Sequence, residues 1–238
     1  MPPPVVFLHA ASYTGKMWLP QIARLQTDFR LLAPDLPGHG ARAGAKFSFA
    51  QAVEDVLGVL DREQIDRALL VGVSLGGCLA MDIAAQYPDR VSGLVLSGCT
   101  FDPRGLLCRL VLTGEGYVFP RGARRFTRSL ERYLQTHYPG PMADEIMASG
   151  TYWDAAADAV LAMRGVDFQA QLASYPGPTL ILNGAHDWIH RTAERAFARA
   201  AQNATVRTLP GAGHIAALDA PDAFADAIRE FAKTNLLT

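Results

Sequence analysis

The sequence predicts an α/β fold: a mostly parallel central sheet of about six strands, flanked by helices, with a helical cap inserted between two strands. Three observations carry this. Short apolar runs bounded by Gly, Pro or Asp alternate with stretches whose apolar residues recur at i, i+3, i+4. Residues 102–170 break the alternation with helical patterning alone, over a length no ordinary connection needs. LLVGVSLGGCLAMDIAA, residues 69–85, passes from strand to helix with no room for a loop.

The strands follow from apolar runs rich in Val, Leu and Ile. They are VVFLH (5–9), RLLAP (30–34), RALLVGV (67–73), GLVLSG (93–98), PTLILNG (178–184) and ATVRTLP (204–210). Runs that are apolar throughout, rather than alternating, belong to a parallel sheet covered on both faces. WLPQIARL, FAQAVEDVLGVLDRE, GCLAMDIAAQY, RTAERAFARAAQ and PDAFADAIREFAK read as amphipathic covering helices. The organisation expected is a core of residues 1–101 and 171–238, with 102–170 as an inserted cap that is not an independent domain.

Composition narrows the class. Half of the 238 residues are hydrophobic and 19% are charged, which favours a sizeable core over disorder. A net charge of −1 offers nothing to nucleic acid or an anionic membrane. The longest apolar run is cut by Asp82, and MPPPVVFLHAAS lacks the pattern of a secretory signal. Cys78, Cys99 and Cys108 are odd in number and unpatterned, so reduced thiols and a cytoplasmic location are expected. The expected partner is a small molecule, and the expected state a monomer or homodimer.

The chemistry starts at Ser74. A strand that turns directly into a helix forces the residue at the turn into a strained backbone conformation and crowds the neighbouring chain. Residues two before and two after must therefore be small, and here they are Gly72 and Gly76. The turn exposes a hydroxyl at a helix N-terminus, where negative charge formed in acyl transfer is favoured. The plain alternative is a glycine-rich turn with an idle serine. A serine nucleophile needs a base, and the base needs an orienting carboxylate. His214, in PGAGHIAAL, and Asp187, in LNGAHDW, each follow a predicted strand, as Ser74 does.

With these residues in place the chain resembles an α/β-hydrolase along nearly its whole length. DLPGHG (35–40), GVSLGG (72–77), YPDRVSGLVL (87–96), the Gly-x-x-Asp of Gly184 to Asp187 and GAGHIAALDAPDAF (211–224) are similar to the family's motifs and stand in its order. The resemblance implies Ser74 as nucleophile, His214 as general base and acid, and Asp187 as the group that holds His214. It implies the Leu75 N–H as one oxyanion donor and the Ala11 N–H as the other. The family's His-Gly-x is here His9-Ala10-Ala11, and a left-handed residue 10 would strain Ala10. Ala10, Phe101, Trp188 and Ile215 are candidate substrate contacts. The family's usual N-terminal hairpin is absent, so the strand near 30–34 should lie at the sheet edge.

Other residues have competing readings. His186 and His190 superficially match a His-x-x-x-His metal pair without a third ligand, and no metal or cofactor is expected. Asp102 is the alternative triad acid, while His39 and Asp35 read as stabilisers of their own loop. Arg121, Arg124, Arg125 and Arg128 share one helical face, either solvated or steering an anionic substrate. Phe119, Phe126, Tyr133 and Trp153 read as the core of the cap, with one or two lining an acyl pocket. A serine at the elbow argues against the halide-releasing and epoxide-opening members, which carry Asp there. What remains is hydrolysis of a small or medium carboxylic ester, lactone or thioester. A carbon–carbon bond hydrolase, a cofactor-free perhydrolase and a non-enzymatic small-molecule receptor are the alternatives.

Overall fold

The computed structural model describes residues 2–236. Six strands form one sheet: β1 (Pro4–Leu8), β2 (Arg30–Leu32), β3 (Ala68–Val73), β4 (Val91–Ser97), β5 (Thr179–Gly184) and β6 (Ala204–Leu209). Their order is β2-β1-β3-β4-β5-β6, and every pairing is parallel. All six apolar runs became strands, and β2 is a three-residue strand at the sheet edge, as expected.

Helices fill the intervals: α1 (Leu19–Leu25), α2 (Phe49–Arg62), α3 (Leu75–Gln86), α4 (Leu106–His137), α5 (Gly140–Ala148), α6 (Trp153–Met163), α7 (Phe168–Ser174), α8 (Glu194–Ala200), α9 (Ala216–Asp219) and α10 (Pro221–Asn235). Strand alternation sorts the core into two layers. Val6, Leu8, Leu70, Leu94, Leu96 and Ile181 face α2, α3, α7 and α8. Val5, Phe7, Leu69, Val71, Val95 and Leu182 face the other way, onto Trp18, α9 and α10. Phe7 stacks on Trp18 at 4.7 Å between ring centroids, which fixes the segment before α1 against β1.

Between β4 and β5 the chain is wholly helical. α4 runs 32 residues through Pro120, which has no N–H for the carbonyl four residues back. Its inner strip holds it against α6, where Phe119 packs edge-on against Phe126 and Trp153, and those two rings meet at a tilt. Leu134 joins Ala143, Ile146 and Leu218 in a small separate core that ties α4 and α5 to α9. Among the described residues no helix is long and apolar enough to cross a membrane.

Because every strand points the same way, the loops after β1, β3, β4, β5 and β6 emerge on one side of the sheet. That is where an open parallel sheet places its ligands.

Candidate active site

Ser74 stands between β3 and α3 with φ 56° and ψ −116°, a left-handed conformation that side-chain-bearing residues rarely adopt. Its N–H donates to the Ser97 carbonyl at 2.8 Å, so β4 holds the turn in place. The flanking glycines are there for space. A Cβ on Gly72 would lie 2.3 Å from Gly76 backbone atoms, and one on Gly76 would lie 2.0 Å from the Leu8 carbonyl oxygen.

The loop after β5 brings Asp187 inward, 4% exposed, and the loop after β6 brings His214 to it. His214 Nδ1 donates to Asp187 Oδ2 at 2.9 Å. His214 and Ser74 line one cavity of about 330 Å³, with Tyr13 and Ile215 on one side and Phe119, Trp153 and Met163 on the other. Asp219 fixes the His214 loop to α4: its carboxylate accepts from the Gly213 N–H at 2.7 Å and from the Tyr133 hydroxyl at 2.6 Å.

A second histidine completes the cluster. His190 donates to the other oxygen of Asp187 through Nδ1 at 2.9 Å, and its own N–H reaches the same oxygen at 3.2 Å. Its ring stacks on His214 with centroids 3.8 Å apart. Burial would raise the Asp187 carboxyl, but hydrogen bonds from His190 and His214 outweigh it and hold the acid well below the ordinary carboxylate range. For His214 burial lowers the pKa, the Asp187 hydrogen bond raises it, and the neighbouring His190 lowers it, with a net downward shift. Asp187, His190 and His214 offer the donor types of a zinc site within 4.8 Å of one another, each already engaged in a hydrogen bond within the trio.

The loop after β1 is locked by histidines of another kind. His9 accepts the Leu36 N–H on Nε2 and donates to the Ala10 carbonyl from Nδ1, both at 2.9 Å. Burial, with His39 adjacent, pushes its pKa down to about 3. His39 bonds the Ala11 carbonyl, bracing this loop, and lies 3.0 Å from the Pro37 carbonyl of its own loop. Asp35 accepts the Gly15 and Ala41 N–H groups, each at 2.8 Å. Ala10 avoids the left-handed region, so replacing the family's glycine creates no strain. Neither the Ala11 nor the Leu75 N–H bonds another described residue.

Ala10, Phe101 and Ile215 line the Ser74 cavity, whereas Trp188 does not. It is 79% exposed. The tight turn after β5 alternates its side chains: Asp187 goes in, Trp188 and Ile189 go out, and His190 returns. The same turn dissolves the His186–His190 pair, since His186 points to solvent and His190 joins Asp187. Asp102 pairs with Arg104 at 2.9 Å, and the histidine bond belongs to Asp187. The arginine face of α4 is exposed, with Arg121 lying over the Tyr117 ring. Glu115 and Leu112, which no motif marked, also line the cavity; their helical spacing from Phe119 on α4 was the available signal.

Comparison with known proteins agrees with this layout. The model of the alpha/beta hydrolase family matches residues 5–227. The chain is 30% identical to the pimeloyl-acyl-carrier-protein methyl ester esterase of Edwardsiella ictaluri, across 96% of this chain and 92% of that one. Its fold is similar to an esterase from Thermogutta terrifontis (TM-score 0.80, 24% identity, 98% and 90% of the two chains). It is equally close to the enol-lactonase of Burkholderia xenovorans (TM-score 0.80, 24% identity, 98% and 92%). The chain is a hydrolase of the alpha/beta hydrolase family.

Proposed function

We propose that this protein hydrolyses a small or medium carboxylic ester, lactone or thioester through an acyl-enzyme on Ser74, with residues 102–170 serving as the cap over a core of 1–101 and 171–238. The observation that carries the reading is the continuity from Asp187 through His214 to the cavity that Ser74 enters at positive φ. Ser74 Oγ attacks the carbonyl carbon while its proton passes to His214 Nε2, and the carbonyl oxygen takes the negative charge. The unengaged N–H groups of Leu75 and Ala11 are the donors available to that oxyanion. The tetrahedral intermediate collapses as His214 returns the proton to the departing alcohol. Water then attacks the acyl-enzyme with His214 as base, and Ser74 is regenerated.

The test uses p-nitrophenyl esters from acetate to octanoate, together with an alkyl fluorophosphonate. The expected result is ester turnover, inactivation by the fluorophosphonate, and a phosphonyl mass increment on the peptide carrying Ser74. A folded protein that turns over diones but no ester would favour the carbon–carbon hydrolase. Tight small-molecule binding without turnover would favour a receptor.

The stacked histidine makes a prediction about pH. His214 must be neutral to accept the serine proton, so the acid limb of kcat/KM follows its titration. His190→Asn removes the neighbouring ring that lowers the His214 pKa and takes the ring N–H away from Asp187 Oδ1, leaving the backbone N–H there, and both changes make His214 more basic. The acid limb of kcat/KM should therefore move to higher pH. Glu115 and Asp219, the other acids facing the pair, are unchanged in the variant. A limb that stays put or moves to lower pH would show that His190 does not act on His214.

A further inference from the structure

The space around Ser74 has a neighbour across His190. A second cavity of about 240 Å³ lies beneath the first turns of α4, between Leu107, Cys108 and Val111 on the helix and Ile189 and Ala193 on the segment leading into α8. Phe101, Leu112, Glu115 and His190 line both cavities, so four side chains form their common wall. Each cavity alone is at or below the low end of small-molecule sites, about 300–1,000 Å³, and together they fall within it.

We propose that this second cavity is a subsite of the same active site, taking the far end of an uncharged, linear, apolar chain carried by the substrate on one side of its scissile bond. The proposal rests on the ester-hydrolase reading and narrows it. Three observations support it. The two chambers follow one strip of α4, Cys108, Leu112, Glu115 and Phe119, at helical spacing, so a chain lying along the helix passes from one to the other.

The mouth of the second chamber is apolar and open to water. Leu107 is 77% exposed and Ile189 62%, with Leu106, Leu110 and Trp188 exposed beside them. Such a cluster is unfavourable in water unless something apolar covers it, and the substrate's chain is an occupant continuous with the reacting centre.

The charge on the walls selects against an anionic chain. The acids are Asp102, already paired with Arg104, and Glu115, which bonds no described residue; no Lys or Arg lines either chamber. A chain ending in a carboxylate would have to pass Glu115 with no cation to receive it.

The test plugs the second chamber from opposite walls with Cys108→Phe and Ala193→Phe, each checked for folding by thermal melting. Two substrate series separate the sides of the ester: p-nitrophenyl alkanoates for the acyl side and alkyl acetates for the alcohol side. In one series the wild type should gain about fourfold in kcat/KM per methylene placed in the chamber. Both plugs should cut the ratio of ten-carbon to two-carbon substrates in that series by about 50-fold, roughly three lost methylenes. Glu115→Gln should reduce the wild-type preference for neutral chains over chains with a terminal carboxylate. Unchanged length ratios in both series for both plugs would overturn the subsite. If the wild type cleaves no ester, the reaction is misread but the chamber is still testable. Calorimetry on Ser74→Ala should then detect octan-1-ol but not ethanol, with the octanol signal lost when Cys108→Phe is added. Absence of octanol binding would overturn the proposal.

Discussion

Ser74→Ala should lower kcat for ester hydrolysis by about five to six powers of ten, the scale on which removing a serine nucleophile acts in hydrolases of this chemistry. In the proposed mechanism the residue bonds the carbonyl carbon directly, so no neighbouring group replaces it. Contaminating wild-type enzyme sets the floor of that measurement. Ser74→Gly should be equally inactive but should melt higher. Its φ of 56° is strained for any residue with a Cβ, by about 1 kcal/mol at the low end, and glycine relieves it. In a domain of this size 1 kcal/mol corresponds to about 2–4 °C in Tm. Two inactive variants that differ in stability in this order would tie the strain to the function. Turnover of either variant within tenfold of wild type would remove Ser74 as the nucleophile.

The legible part of this protein was the part that backbone sterics dictate. β1, β3, β4 and β5 are apolar through their centres because helices cover both faces, so their runs stood out. The strand-to-helix turn was equally plain, because Gly72 and Gly76 are the only side-chain sizes that fit against Gly76 and Leu8. Side-chain direction within a turn was not legible. Trp188 and His190 lie two residues apart after Asp187, yet one faces solvent and the other stacks on His214, a difference set by backbone hydrogen bonds across the turn. The course of α4 was hidden for another reason. Pro120 and the glycines at 114, 116 and 122 argue locally for a break, and tertiary packing of the inner strip on α6 carries the helix through. Glu115 followed from that course alone.

Asp187→Asn should lower kcat by about four powers of ten while the fold is retained, and His190 determines why. Asp187 now accepts three hydrogen bonds: His190 N–H and Nδ1–H on Oδ1, and His214 Nδ1–H on Oδ2. An asparagine has one acceptor oxygen and one donor NH2 for those two positions. Two donors wait at the Oδ1 position and one at Oδ2, so the amide oxygen turns toward His190 and the NH2 toward His214. The NH2 then makes His214 Nδ1 an acceptor, which moves the ring proton to Nε2, the nitrogen that takes the proton of Ser74 in the proposed mechanism. The wrong tautomer is thus enforced by a neighbour outside the Asp187–His214 pair. Adding His190→Gln to Asp187→Asn removes one donor at the Oδ1 position and should restore about tenfold, the worth of roughly one hydrogen bond. The pH response should change as well. Asp187 is held ionised by its partners, so its stabilisation is present above the unfolded carboxylate pKa and fades as pH falls through the lower folded value. The Asn variant lacks that contribution, and its Tm should approach that of the wild type as the medium becomes strongly acidic. A comparable loss of turnover in Asp102→Asn, with Asp187→Asn nearly normal, would transfer the role to Asp102. An Asp187→Asn defect that His190→Gln deepens would leave the loss in place but refute the tautomer as its cause.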